Sequence, residues 1–257
     1  FTQFSDYFES SVLPGFKRET KQLYIETTYR INNDLIDLSS EFILKNDNQL
    51  EKDLKSHTEG DGQPYTLLYY NYDAINFSEP LISALNDIQE REGDTSSIKV
   101  LLLGRYNHDI SSLEKFGSFS TQFERNEQKY KVKWSGSPDL TIEYLTVHSA
   151  KGLEADYVVL LNGNSGKYGF PAEISDDPIL NLLLTEADQF PNGEERRAFY
   201  VAMTRTKKHL YIIANEQIKS KFLVEIESLE ESESLFCPWC ETGKLQEKAG
   251  KYCPFYG

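Results

Sequence analysis

The sequence predicts an α/β domain built on a mostly parallel sheet with helices on both faces. Three observations carry this. Apolar runs of strand length alternate with segments whose apolar residues recur at helical spacing. The run at residues 98–103 is apolar almost throughout, as a parallel strand covered on both sides must be. Polar clusters follow several of the runs, where open parallel sheets bind their ligands.

Taken in order, residues 22–25 read as a short strand. Residues 33–44 read as a helix, with Leu35, Ile36, Leu38, Phe42 and Ile43 on one face. A strand at 65–70 is followed by a helix at 79–91, whose Leu81, Ile82, Leu85 and Ile88 form its apolar stripe. After the 98–103 run, residues 129–134 are expected to pair as an antiparallel hairpin with the start of the next strand, at 141–147. A strand at 157–161, a helix at 192–203, a strand at 209–214 and a helix at 218–229 complete the series. Asn192 followed by Glu195 has the spacing of a helix capping box, and Glu195 also has the reach to pair with a neighbouring arginine. Residues 46–64 and 165–178, rich in Gly, Asp, Asn and Pro, read as loops.

A length of 257 residues suits one large domain with a small appendage. The expected division is 1–229 for the domain, 230–236 for a linker and 237–257 for a tail. No run approaches the roughly 18 apolar residues of a membrane helix, so no membrane partner is expected. Phe1 in place of an initial Met suggests a piece of a longer protein. The net charge of −14, from 27 basic and 41 acidic residues, argues against a broad basic face for nucleic acid. Any contact with DNA must be local, made by a few groups in a groove. The acidic run at 225–233 reads as a solvated surface. All three cysteines, Cys237, Cys240 and Cys253, lie in the tail, which fits a reducing, cytoplasmic setting with a metal-binding end better than a disulfide framework.

The chemistry-bearing clusters are Thr27-Thr28-Tyr29-Arg30, Gly104-Arg105-Tyr106-Asn107 and the segment from His148 through Ser149, Ala150, Lys151, Gly152 and Leu153 to Glu154. Each follows a strand, so the three are expected to share one sheet edge. The turn at 149–152 would offer backbone N–H groups to an anion at a helix start.

These residues carry a family resemblance. The run Leu145-Thr-Val-His-Ser-Ala-Lys-Gly-Leu-Glu-Ala-Asp-Tyr-Val-Val159 resembles motif V of UvrD/Rep-type superfamily 1 DNA helicases. Glu194-Glu-Arg-Arg-Ala-Phe-Tyr-Val-Ala-Met-Thr-Arg-Thr-Lys207 resembles motif VI, and Glu26-Thr-Thr-Tyr-Arg30 resembles motif IV in a form similar to helicase IV (HelD-like) members. The resemblance implies a RecA-like fold of the P-loop NTPase class, specifically the second motor domain. It implies that Arg205 is the arginine finger and that Arg30 also touches the γ-phosphate, where a planar guanidinium meets the charge of phosphoryl transfer. It further implies that Tyr29 stacks on adenine, that Glu154 accepts a hydrogen bond from the ribose, and that His148, Ser149, Arg105 and Asn107 contact single-stranded DNA. Arg196 and Arg197 read either as part of an ionic network with Glu195 or as solvated helix residues.

No Gly-x-x-x-x-Gly-Lys-[Ser/Thr] phosphate loop occurs in the sequence. In the family it belongs to the first RecA-like domain, and Phe1-Thr-Gln-Phe4 resembles the helix where that domain ends. ATP and Mg²⁺ are therefore implied for the complete protein, at a site shared with that first domain, and the chain alone is expected to lack ATPase activity. Relatives carry a large inserted subdomain between the positions of Asn107 and Thr141, where this chain has room only for a stub. Cys237-Pro-Trp-Cys240 has metal-knuckle spacing and resembles the start of a topoisomerase-type zinc finger, so Cys237 and Cys240 are the candidate zinc ligands. The resemblance puts the next ligand pair after Gly257, and an alternative makes Cys253 a third ligand; in either case the tail to Gly257 is expected to be an incomplete zinc site. The alternative reading is a HelD-like ATPase that remodels RNA polymerase. A helicase subunit of a nuclease complex is a third, disfavoured by the cysteine tail.

Overall fold

The computed structural model describes residues 27–29, 31–49, 54–58, 62–71, 77–173 and 190–234. The expected strand at 22–25, Arg30 and the three cysteines lie outside them.

A two-residue strand β1 (Thr27–Thr28) leads into helix α1 (Asn33–Leu44). Asn32 caps the helix by accepting from the Leu35 N–H at 2.9 Å, and Asp34 adds a first-turn carboxylate. Strand β2 (Lys55–Ser56) returns parallel to β1, held by Asn33, whose Oδ1 accepts from the Ser56 N–H. Then follow β3 (Tyr65–Tyr70), α2 (Ser78–Glu92), β4 (Lys99–Gly104), a 3-10 helix (Asn107–Phe116), β5 (Phe119–Glu124), β6 (Lys129–Trp134), β7 (Thr141–Thr146) and β8 (Ala155–Leu160). Helix α3 (Gly193–Met203), β9 (Thr206–Asn215) and helix α4 (Lys221–Ser234) complete the described chain. Helix α4 thus runs on into the stretch read from the sequence as a linker.

Seven strands form one sheet in the order β3-β9-β8-β4-β7-β6-β5. The first five run parallel, and β6 and β5 add an antiparallel hairpin at one end. The expected fold class is therefore met: a mixed α/β domain with a mostly parallel sheet and helices on both faces. On one face, α1, α3 and α4 bury Leu35, Phe42, Phe199, Met203, Phe222 and Ile226 against Leu101, Leu103, Val158, Leu160 and Ile212. On the other, α2 buries Leu81, Leu85 and Ile88 against Val100, Leu102, Val159 and Ile213. The alternation within 98–103 is what feeds both cores, with Leu101 and Leu103 turned one way and Val100 and Leu102 the other. Helix α2 is also pinned through its acids, Asp87 to the Tyr211 hydroxyl and Glu92 to the Tyr157 hydroxyl, each at 2.5 Å. No described helix is long and apolar enough to cross a membrane.

The expected hairpin at 129–134 is present, but its tight partner is β5, and β6 then pairs with β7. Together the 3-10 helix and this hairpin take up the stretch between β4 and β7. Beyond the helices the hairpin's face is polar and is held by a cation–anion–cation row across three strands. Glu143 of β7 lies 2.8 Å from Lys99 of β4 and 2.6 Å from Lys129 of β6, with its own side chain only 9% exposed. Burial alone would raise the Glu143 pKa. The hydrogen bonds from Lys129 and Lys99 outweigh it and hold the carboxyl below its ordinary value of 4.5. A depressed acid pKa gives stability that is present above the ordinary value and lost as pH falls through the folded one. Glu143→Gln is thus expected to cost about 1–3 kcal/mol at neutral pH. In denaturant unfolding, the gap to the parent should narrow as pH falls below 4.5. A gap unchanged in acid would remove the ion row as its cause.

Candidate functional site

The three sequence clusters do not share one edge. Residues 147–154 form a crossover, leaving the carboxyl end of β7, passing over β4 and entering the amino end of β8. Eight residues reach at most about 28 Å, enough to cross a strand of six residues without a helix. Val147 and Ala150 are buried under the crossing in the core shared with α1, α3 and α4. His148 and Ser149 therefore stay at the carboxyl edge, while Glu154 is delivered to the opposite, amino edge. Sequence spacing did not reveal this separation, because nothing in the segment marks it as a crossing.

At the carboxyl edge, Arg105 follows β4. Its Nε donates to both Glu195 oxygens at 3.1 and 3.0 Å, and its Nη2 to Oε1 at 2.5 Å. This hydrogen bonding with Glu195 is the main reason that the Arg105 pKa is raised. Glu195 also accepts from the Ala172 N–H at 3.1 Å. Its side chain serves these partners, and Asn192, in a left-handed conformation at φ 56°, makes no side-chain cap. The expected capping box is thus replaced by a long-range clamp to an arginine 90 positions away. Arg105 Nη1 lies 3.5 Å from His148 Nδ1. His148, Ser149 and Asn107 are all exposed.

The turn after His148 is not a helix start. The N–H groups of Ser149 and Ala150 donate to the Thr146 carbonyl, each at 3.0 Å, and the Ser149 hydroxyl lies 2.9 Å from that of Thr146. The expected anion cradle loses those two donors, and the exposed side chains of His148, Ser149 and Lys151 stand around the turn.

Beside Arg105 stands a group of rings that the sequence reading left out. Tyr106 and His108 are stacked at 5.2 Å and 9°, and Tyr168, from the loop after β8, meets both edge-on. Arg105 sits 4.9 Å over the Tyr106 ring, and Lys167 5.5 Å over that of Tyr168. Asp109 binds the two segments together, accepting from the Tyr106 N–H at 2.8 Å and from Asn162 Nδ2 at 3.4 Å. Burial is the main cause that pushes the Asp109 carboxyl up. The available signal was Tyr-Gly-Phe-Pro at 168–171, an aromatic set in a tight loop. Gly104 fixes the approach of β4 to this corner. A Cβ there would lie 2.3 Å from the Tyr144 hydroxyl and 2.7 Å from Asp109 Oδ2. Gly104→Ala is accordingly expected to cost about 1–3 kcal/mol in denaturant unfolding, and an unchanged midpoint would show that the corner can yield.

At the amino edge, Arg205 ends α3 and is only 8% exposed. Its Nε donates to the Val201 carbonyl (2.9 Å), Nη1 to that of Leu153 (3.2 Å) and Nη2 to Thr204 Oγ1 (3.1 Å). The Ala155 N–H donates to the Arg205 carbonyl at 3.1 Å, and Glu154 pairs with Lys207 at 2.7 Å. Glu154 and Arg205 are therefore neighbours, with Arg205 buried rather than on an open face and Arg30 outside the described residues. Tyr29, 77% exposed, stacks on His57 at 4.9 Å and 20° beside the β1–β2 pair. Among the described residues, no group of three or more His, Cys, Asp or Glu is arranged to hold a metal.

Residues 118–217 match the family of UvrD-like helicase C-terminal domains. The chain is 32% identical over 213 residues to DNA helicase IV of Escherichia coli (strain K12), covering 82% of this chain and 27% of that protein. It is 38% identical over 96 residues to a probable DNA helicase II homolog of Mycoplasma capricolum, covering 34% of this chain and 12% of that protein. A crystal structure described as the C-terminal domain of a possible DNA helicase from Lactobacillus plantarum WCFS1 aligns over 79% of this chain and 96% of its own, at 16% identity and a TM-score of 0.47. The chain thus spans about a quarter of the length of the helicase IV relative.

Proposed function

We propose that this chain, which carries a UvrD-like helicase C-terminal domain and is a homologue of DNA helicase IV, is the second RecA-like motor domain of an ATP-driven helicase and translocase on single-stranded DNA. One observation carries the reading. The segments resembling helicase motifs V and VI meet in space, through Leu153 and Arg205, Ala155 and Arg205, and Glu154 and Lys207.

In this reading the amino edge is the half of an ATP site that the domain contributes. Arg205 and Arg30 neutralise the charge that develops on the transferred phosphoryl group, Glu154 accepts from the ribose, and Tyr29 offers its exposed ring to adenine. Arg205 must then exchange the Leu153 carbonyl and Thr204 hydroxyl for phosphate oxygens when a phosphate-loop domain closes on it. That other domain supplies the phosphate cradle and the Mg²⁺. The carboxyl edge is the track for single-stranded DNA. His148, Ser149 and Asn107 are its exposed polar groups, with Arg105, clamped by Glu195, beside them. Cys237 and Cys240 are the first ligand pair of a zinc finger.

The test is strand separation by the complete protein on a partial duplex carrying a fluorophore and quencher. The expected result is unwinding that requires ATP and a single-stranded flank. ATP turnover indifferent to DNA, with no strand separation, would overturn the reading, and ATP-dependent release of RNA polymerase in its place would favour a polymerase remodeller.

A further inference from the structure

We propose that His57 is a positioning residue for the nucleotide, a wall behind Tyr29 that holds its ring with one face open to the base. The inference rests on the reading of Tyr29 as the adenine platform and adds the group that fixes that platform in place.

Tyr29 stands well out from the domain, and a side chain so exposed changes rotamer freely unless something holds it. Among the described residues the one ring against it is His57, with centroids 4.9 Å and planes 20° apart. The stack follows from strand register. β1 and β2 run parallel, with Thr27 opposite Lys55 and Thr28 opposite Ser56, so the next residues along are Tyr29 and His57. Neighbouring strands lie about 4.8 Å apart, which is the spacing at which the two rings meet face to face.

A pair of two-residue strands would not keep this register unaided. The start of α1 keeps it. Asn33 Oδ1 accepts from the Ser56 N–H at 2.8 Å, and the Asn33 N–H donates to the Thr58 carbonyl at 3.3 Å, so His57 is held from both sides. The Thr58 N–H donates to Ser56 Oγ at 3.0 Å, and Asp34 Oδ2 accepts from the Gly62 N–H at 2.7 Å. Asn33 and Asp34 open a helix whose Leu35, Leu38 and Phe42 are buried. The backbone of His57 is thereby tied to the core, and the Tyr29 ring is tied to His57. The imidazole takes one face of that ring and leaves the other, where a flat base continues the column. A ring already held loses little freedom when a ligand stacks on it.

The test is steady-state ATP turnover by the complete protein on saturating single-stranded DNA, with ADP and inorganic pyrophosphate as competing inhibitors. His57→Ala is expected to raise both the KM for ATP and the inhibition constant of ADP by about three- to tenfold. The kcat and the inhibition constant of pyrophosphate, which has no base to stack, should hardly move. His57→Phe keeps a flat ring and should restore the parent values. An unchanged KM in His57→Ala, a fall in kcat alone, or equal weakening of ADP and pyrophosphate would overturn the wall. Should Tyr29→Ala raise the KM where His57→Ala does not, the adenine platform stands and only the role of His57 falls. A KM unchanged in both variants would overturn the platform and the wall together, as would a parent protein that turns over no ATP.

Discussion

Arg196→Ala is expected to lower the free energy of unfolding by about 3–5 kcal/mol, a large share of the roughly 5–15 kcal/mol that holds a domain folded. Arg196 is 5% exposed, in the middle of the helical face of the core. Its Nη1 and Nη2 reach the two Glu225 oxygens of α4 at 2.6 and 2.8 Å, and Nη1 also reaches the Phe42 carbonyl of α1 at 2.7 Å. The guanidinium lies 4.4 Å over the Phe42 ring and 5.2 Å over that of Phe222. One side chain of α3 thus ties α1 and α4 to it. The half-buried Arg197, its neighbour in sequence, pairs with the exposed Glu194 one turn earlier and should cost less when replaced. Among the described residues, removing Arg196 leaves Glu225 with Lys45, 3.5 Å away, as its remaining cation. Replacing both partners by apolar residues, Arg196→Met with Glu225→Leu, is expected to recover most of the loss, because the desolvation of both charges is removed together. Urea unfolding of the two singles and the double measures this, and a double variant as weak as the sum of the singles would contradict it.

Arg205→Ala, placed in the complete protein, is expected to cut DNA-stimulated ATP turnover by about a thousandfold or more. The competing account is structural. Arg205 closes the end of α3 and bonds the crossover at Leu153, so its loss could act through folding alone. The two accounts separate when turnover and thermal unfolding are measured on the same variant. Arg205→Lys keeps a cation at the helix end but loses the planar fork. Loss of turnover in a variant that unfolds near the parent temperature supports the finger. Turnover that falls only in proportion to the folded fraction would reduce Arg205 to a structural tie.

Much of the fold was legible in the sequence. Helix α1 and strands β3 and β6 have the bounds that apolar spacing predicted, and the two-sided burial of β4 followed from its continuous run. Strand β5 was not legible. Of its Phe-Ser-Thr-Gln-Phe-Glu only Phe119 is buried, and Phe123 is 44% exposed, so an edge strand with polar residues on both sides carries no period. Within the site, residue types were legible and partners were not. Arg196 and Arg197 are identical letters, and about 100° of helical phase buries one in the core and leaves the other half-exposed at the surface. Glu195 had the spacing of a cap, but the left-handed backbone at Asn192 left it free to clamp Arg105. The acidic run from 225 had the look of a solvated surface, yet Glu225 and Glu227 are bound by Arg196 and by Lys219 with Tyr69. The ring cluster was invisible for a related reason, since Tyr106 and Tyr168 meet only after β8 brings its loop beside β4.

The proposal that this is half of a motor is tested most directly by steady-state ATP turnover, measured side by side for this chain and for the complete protein, each with and without single-stranded DNA. The account predicts no turnover above background for the chain under either condition, and DNA-stimulated turnover for the complete protein that Arg205→Lys abolishes. Turnover by the chain itself, retained through purification and lost in Arg205→Lys, would contradict it.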